Sequence, residues 1–330
     1  MFKLIYGNWM QQCTYTFAEL AFADVLQKAP KTHTELTEEL NLDGIYLKQF
    51  LRCITELGFV NFNTSTKAYE LTEFGALLSS NHPYSKRAEA RLNGAEYRYM
   101  PWGHLTSILK NGNGPKYSPT IETGTLDYLQ DKPELLEVFH EAMFKIWKTE
   151  DDKIVEAFDF SPFKKVMDIG GGKGSFLMKM LEKNNQLEGV VFDLDTTFED
   201  TVLGKDNMIS GDFFKEVPDV ADLYTMKNVI HNWPEDRAKN ILTNVRKAMD
   251  SSDGIDTPKD QKRLLIIENI LPDDGSGDIS NWMSLNFMIL VNGQERNKEE
   301  YRILGKECGF HLEKIYSTET NREIIEYSLL

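Results

Sequence analysis

Cysteine is scarce in this chain. Cys13, Cys53 and Cys308 are the whole supply among 330 residues, far apart and odd in number. That excludes a disulfide framework and suits free thiols in a reducing compartment. Neither a Cys-x-x-Cys nor a His-Glu-x-x-His pattern occurs, so no metal is expected. Long apolar runs are missing, and the start Met1-Phe2-Lys3-Leu4-Ile5-Tyr6-Gly7-Asn8-Trp9 lacks a signal-peptide pattern. The expectation is a cytoplasmic protein with no membrane partner. Positive charge is also short: 37 Lys and Arg stand against 52 Asp and Glu, a formal net charge of −15. Such a balance argues against nucleic acid and other polyanionic partners. No internal repeat is visible. The length is enough for two domains of ordinary size.

Glycine is concentrated where it matters. In Val166-Met167-Asp168-Ile169-Gly170-Gly171-Gly172-Lys173-Gly174-Ser175, an apolar run meets an acid and then four glycines in five positions. Phe176, Leu177, Met180 and Leu181 follow at helical spacing. The pattern predicts a strand, a tight turn and a helix start. Glycines supply positive φ there and let a ligand approach bare backbone, while the helix N-terminus offers free N–H groups to an anion. A dinucleotide fingerprint, G-x-G-x-x-G/A, fits poorly because Ser175 falls at the third glycine. The pattern D-x-G-G-G-x-G resembles motif I of class I S-adenosylmethionine methyltransferases.

The next elements arrive in a consistent order. Val190-Val191-Phe192-Asp193 reads as a strand ending in an acid that can accept hydrogen bonds from both ribose hydroxyls. Ile209-Ser210-Gly211-Asp212-Phe213-Phe214 offers an acid for an adenine amino group beside an aromatic to cover its ring. Then comes Ala221-Asp222-Leu223-Tyr224-Thr225-Met226-Lys227-Asn228-Val229-Ile230-His231-Asn232-Trp233. Strand-like runs at 165–169, 190–193, 207–210, 221–226 and 263–268 alternate with helical stretches. The fold expected is α/β, a Rossmann-like doubly wound sheet, after a mainly α region.

These strings, with Ile266-Ile267-Glu268, Gly293-Gln294-Glu295-Arg296 and Gly309-Phe310, resemble the plant-type and bacterial small-molecule O-methyltransferases, which include hydroxyindole and caffeate methyltransferases. The resemblance covers nearly the whole chain. It implies S-adenosylmethionine as cofactor, with S-adenosylhomocysteine as product. The implied cofactor residues are Asp168, Gly170, Gly171, Gly172, Asp193, Asp212, Phe213, Lys227 and Trp233. It places the catalytic base at His231, with Glu268 and Glu295 beside it. A histidine with a pKa near neutrality suits proton transfer, and a carboxylate on Nδ1 fixes its ring and tautomer. Glu268 is read as the end of a strand and Glu295 as the start of a helix, with Asn297 and Glu300 as a cap just beyond. The family usually has Asp after the base. Here it is Asn232, which keeps hydrogen bonding, loses a charge and is counted with the catalytic group. In some relatives that alkylate carbon a second histidine replaces the strand-end acid to bind a metal, and Glu268 argues against that variant.

Residues 1–90 read as short helices followed by a hairpin. Ala18, Leu20, Ala21, Val25 and Leu26 recur at helical spacing, a second helix opens at Thr34, and Leu47, Phe50, Leu51, Ile54 and Leu57 mark a third with Gly58 at its end. Phe59–Phe62 and Tyr69–Thr72 form the wing. Helix–turn–helix plus wing is a DNA-binding architecture. Yet residues 1–80 carry six basic side chains (Lys3, Lys28, Lys31, Lys48, Arg52, Lys67) against nine acidic ones. Neutralising phosphates dominates non-specific affinity, and this surface cannot supply it. The resemblance instead implies a dimerisation domain and a homodimer.

Residues 91–150 are a helical linker, and 151–330 the catalytic domain. Leu135–Trp147 forms an amphipathic helix. Most of its apolar residues read as interdomain core, while the resemblance puts Phe139, Met143, Trp147 and Asn286 against the acceptor. The polar stretches 250–260 and 273–278 read as solvated connectors. The function implied is methyl transfer to a hydroxyl of a small, aromatic or natural-product acceptor. Fold and cofactor do not fix chemistry, so a member turned to hydroxylation or pericyclic rearrangement is the alternative. Phenol, enol, carboxylate and amine nucleophiles all remain open.

Overall fold

The structure is a computed structural model. It describes residues 1–112, 118–120, 125–147, 150–195, 201–251, 255–276 and 279–330, with the side chains of 126, 127, 144–147 and 205 outside the description. The chain divides into two compact units, residues 1–106 with 117–145, and residues 107–116 with 146–330.

The first unit is mostly helical. Helices Gly7–Glu19, Phe22–Leu26, His33–Glu39 and Gly44–Glu56 surround a core of Phe17, Phe22, Leu36, Leu47, Leu51, Ile54 and Phe59. Each large apolar side chain buried this way contributes about 1.5–3 kcal/mol. Asp43 caps the fourth helix, accepting from Ile45 N at 2.8 Å. The helix expected to open at Thr34 starts one residue earlier, at His33, with Thr32 as its cap. Thr32 and Glu35 form a reciprocal capping box there. The hairpin is present as β2 (Val60–Phe62) and β3 (Ala68–Leu71), and β1 (Lys31–Thr32) pairs with the far side of β3. Helix Arg87–Gly94 packs close on Gly7–Glu19, because a Cβ on Gly94 would fall 2.3 Å from that of Tyr15.

The second unit is a sheet with helices on both faces. Its strands are β4 (Lys165–Ile169), β5 (Glu188–Asp193), β6 (Met208–Ser210), β7 (Leu223–Lys227), β8 (Arg263–Glu268), β11 (Phe310–Ser317) and β12 (Glu323–Leu329), while β9 (Ile270–Leu271) and β10 (Arg296–Asn297) form a separate parallel pair. The order among the described residues is β11-β12-β8-β7-β4-β5-β6, with the last five parallel and β12 reversed, pairing antiparallel with both β8 and β11. Strand alternation splits the core in two. Met167, Val190, Tyr224, Leu264 and Ile266 face the cluster with helix Glu235–Asp250. Val166, Val191, Leu223, Leu265 and Ile267 face the cluster with helices Asp151–Glu156 and Ser175–Lys183. The chain reverses its direction of build between β4 and β7, and ligands of such sheets bind at the carboxyl ends beside that reversal. Among the described residues no helix is long and apolar enough to cross a membrane.

Candidate active site

β4 ends in a glycine turn with the conformations its composition demands. Gly170, Gly172 and Gly174 have φ of 68°, 57° and 87°. The turn is also closely approached: a Cβ on Gly171 would lie 2.5 Å from Asp168 Oδ2, and one on Gly170 would lie 2.8 Å from the Val229 side chain. Asp168 is buried. Thr225 donates to its Oδ1 at 2.7 Å, while Oδ2 has no hydrogen-bond partner. Burial pushes its pKa up to about 7, against the pull of Thr225 and Lys227.

Asp193 ends β5 and turns back to the same glycines. Gly172 N donates to Oδ2 at 2.8 Å and Leu194 N to Oδ1 at 2.7 Å. A carboxylate has about four lone-pair sites, so each oxygen retains one for a ligand hydroxyl. Burial raises its pKa despite those two bonds. Phe213 stands 3.7 Å from the Cβ position of Gly170 and meets Trp233 edge-on. Trp233 also packs edge-on against Phe214, with Arg237 over both rings. Asp212 holds its own turn, accepting from Phe214 N at 2.9 Å.

Two further residues singled out in the sequence have protein partners. Lys227 points its ammonium at buried Asp151 and lies 4.7 Å over the Phe176 ring. This enclosed ion pair ties β7 to helix Asp151–Glu156. Asn232 donates to the carbonyls of Asn228 at 2.8 Å and Val229 at 3.4 Å. It closes the turn that carries His231, and Asp could not make these bonds because it has no donor when ionised.

His231 sits in the 3₁₀ turn Ile230–Asn232 after β7 and is buried. Its Nδ1 lies 2.7 Å from Glu268 Oε2 and 3.3 Å from Glu295 Oε1. Neither contact has hydrogen-bond angles, so the nitrogen straddles the two carboxylates as an ion pair would. The ring stacks on Phe287 at 4.2 Å and 22°. Burial alone pushes the histidine pKa down. The two carboxylates outweigh it and raise the pKa to about 9. Ligand atoms of these three residues lie within 4.8 Å of one another. A zinc-sized ion with bonds of about 2.1 Å spreads its ligand atoms to roughly 3 Å or more. The 2.7 Å separation of Nδ1 and Glu268 Oε2 is closer than that and fits the direct ion pair.

Glu268 ends β8 as its sequence suggests. Glu295 does not begin a helix. It precedes β10, and the helix starts at Lys298 behind the Asn297–Glu300 capping box. What brings Glu295 to the ring is the preceding loop. Gln294 N donates to His231 O at 2.9 Å, and a Cβ on Gly293 would come within 1.9 Å of the same oxygen. A glycine beside a candidate acid was the available sequence signal for this contact. Asn286 precedes Phe287 on helix Ser280–Val291. Phe139 and Met143 pack in the first unit against Leu92, Tyr97, Leu129 and Val138. The Trp147 side chain lies outside the described residues, as do residues 252–254 and 277–278 of the two connectors.

Comparison with known proteins decides the family. The model of the O-methyltransferase domain matches residues 102–311. The chain belongs to the O-methyltransferase family. It is 32% identical to phenazine O-methyltransferase PhzM of Lysobacter antibioticus, over 99% of this chain and 94% of that relative. Its fold matches mitomycin 7-O-methyltransferase MmcR with a TM-score of 0.88 at 25% identity, over 99% and 96% of the two chains. It matches CalO1, a methyltransferase in calicheamicin biosynthesis solved with S-adenosylhomocysteine bound, with a TM-score of 0.74 at 25% identity, over 100% and 97%. The second unit is thus a class I methyltransferase fold, and the enzyme is an S-adenosylmethionine-dependent methyltransferase. The residues present fit that cofactor: a glycine cradle that a Cβ would fill, an acid ending β5, and an aromatic ring beside the turn.

Proposed function

We propose that this enzyme methylates a hydroxyl of a small aromatic or natural-product acceptor, with His231 handling the acceptor's proton. The observation that carries the reading is His231 Nδ1 between Glu268 and Glu295. With Nδ1 committed to the carboxylates, Nε2 is the nitrogen left for the acceptor, and the carboxylates stabilise the imidazolium that results. Gly170, Gly171, Gly172, Asp193 and Phe213 would hold the cofactor, with Asp168 shaping the turn from below and Trp233 backing Phe213. When bound, S-adenosylmethionine supplies a methyl group on a positively charged sulfur. The protein's share of the work is alignment of the acceptor and management of one proton, and alignment alone can lower a barrier by several kcal/mol. Acceptor contact by Phe139, Met143 and Asn286 is part of the same proposal.

The proposal extends to organisation. Residues 1–90 form a winged-helix dimerisation domain, 91–150 a helical linker and 151–330 the catalytic domain of a cytoplasmic homodimer that binds no nucleic acid. Phe2, Leu4, Ile5 and Trp9 support it, standing 59%, 83%, 60% and 63% exposed at the start of the chain. Side chains of that size clustered in water mark an association surface. A labelled-methyl assay against a panel of aromatic hydroxyl compounds, with mass spectrometry of the products, tests the reading. Methyl ethers that disappear with His231→Ala support it. Transfer to amines alone, or none to any panel member, contradicts it.

A further inference from the structure

One arginine of the first unit stands apart from the rest. Arg52 donates to Gln49 Oε1 at 3.1 Å, Arg87 to Ala18 O at 3.0 Å and Arg91 to Glu19 Oε2 at 2.7 Å. Arg98 lies on the short helix Glu96–Tyr99, and among the described residues its guanidinium meets neither a carboxylate nor a carbonyl. Its Nε is buried with no hydrogen-bond partner, and so is the hydroxyl of Tyr97 beside it. Burial pushes the Arg98 pKa down, and among the described residues only the Tyr97 phenol opposes that shift. Burial raises the Tyr97 pKa, with Arg98 pulling against it. The two polar groups are therefore neighbours, and each has an N–H or O–H left to donate. A guanidinium stays charged at any working pH, so enclosing it without an anion is costly. What surrounds the pair is apolar. Tyr97 belongs to the cluster of Leu129, Val138, Phe139 and Met143, and its ring lies 5.5 Å from that of Tyr128. The ammonium of Lys132 is already occupied, standing over the Tyr128 ring and donating to Tyr128 O at 2.8 Å.

We propose that Arg98 and Tyr97 form a carboxylate-binding subsite, and that the acceptor is an aromatic hydroxy acid. This rests on the methyl-transfer reading above, in which Phe139 and Met143 touch the acceptor, and narrows its acceptor class. A planar guanidinium presents two parallel N–H groups to the two oxygens of a carboxylate, and the phenol O–H reaches a further lone pair. A carboxylate is ionised at neutral pH and brings one negative charge, which one guanidinium matches. A phosphate ester brings close to two and would leave one unbalanced. The apolar wall of Leu129, Val138, Phe139 and Met143 suits a ring better than a sugar or a polar peptide. The carboxylate anchors the molecule and is not itself methylated. The methyl group goes to a separate hydroxyl, whose proton His231 takes as described above.

Calorimetry on the full chain with S-adenosylhomocysteine compares hydroxybenzoates and hydroxynaphthoates with their uncharged carboxamides, pair by pair. The acids should bind about 10–100-fold more tightly, as a charged hydrogen-bonded pair implies. Arg98→Gln should bring the two members of each pair close to equal. Arg98→Lys should keep part of the preference, because it retains the charge and loses the fork. Tyr97→Phe should weaken the acids several-fold and the carboxamides less. Circular dichroism and thermal unfolding check that each variant is folded. Carboxamides that bind as well as the acids, a preference that survives Arg98→Gln, or no binding by any acid overturns the proposal. A labelled-methyl assay on the same pairs keeps the two ideas apart. His231-dependent transfer with no Arg98-dependent preference for acids sinks only this inference. Acids held through Arg98 but never methylated sink the methyl-transfer reading and leave the subsite.

Discussion

Gly293 lies against the carbonyl of His231 so closely that a Cβ there would sit 1.9 Å from the oxygen, while Gln294 N–H bonds that same oxygen at 2.9 Å. The loop that delivers Glu295 is strapped to the residue it serves. Gly293→Ala should push the strap away, costing about 1–3 kcal/mol of stability as overpacking does. It should also withdraw Glu295 from Nδ1, so the His231 pKa falls from about 9 toward its ordinary value. Histidine NMR titration and thermal unfolding check both effects. An unchanged His231 titration in a folded Gly293→Ala protein would show that the strap does not position Glu295.

Cofactor choice should depend on Asp193. Its two oxygens hold the glycine turn and the start of the next loop, and their remaining lone pairs suit a pair of ribose hydroxyls. Calorimetry should show Asp193→Ala weakening S-adenosylmethionine by about 1–3 kcal/mol through lost hydrogen bonds. NAD should bind the unmodified protein much more weakly than S-adenosylmethionine. Equal affinity for the two would refute the assignment.

Asp168 should leave a pH signature in stability. Its folded pKa is raised to about 7, above the ordinary unfolded value near 3.9. The folded state therefore binds the proton more tightly than the unfolded one. The stability this contributes is full below about pH 4, declines as pH rises and is gone above about pH 7. Asp168→Asn keeps an acceptor for Thr225 and cannot ionise. Thermal unfolding of the cofactor-free protein should show its gain over the parent growing between pH 5 and pH 8. A gain that is the same at both would mean that Asp168 does not carry the penalty.

The first ninety residues should associate and ignore DNA. Light scattering should report a dimer. Replacing Leu4, Ile5 and Trp9 with polar residues should shift the population toward monomer, because the apolar surface they expose is removed. A monomeric parent, or salt-sensitive binding of duplex DNA at micromolar protein, contradicts this.

Much of the second unit was legible because its signals are local. The glycine turn, the acids ending β5 and β8 and the Asn297–Glu300 cap each follow from a few adjacent residues, and the structure has them in place. β11 and β12 were not read as strands. In β11 the alternation Phe310-His311-Leu312 breaks at a register shift between Leu312 and Lys314, and charged residues follow on an edge. The partners of Lys227 and Asn232 were not legible for a different reason. Asp151 lies 76 residues from Lys227 in sequence, so nothing near the lysine announces its partner. The bonds from Asn232 to Asn228 and Val229 depend on a turn in which Asn228 takes a φ of 58°, which residue types alone do not specify. Glu295 was recognised as an acid of the site, but its route there runs through the backbone of Gly293 and Gln294.

The measurement that tests the account most directly is turnover of His231→Ala on an identified, weakly acidic phenol, with S-adenosylmethionine affinity measured in parallel. The account predicts that turnover falls by roughly 10²–10⁴-fold while affinity for the cofactor stays nearly constant. Full activity of His231→Ala on that acceptor would contradict it and leave alignment as the source of the rate.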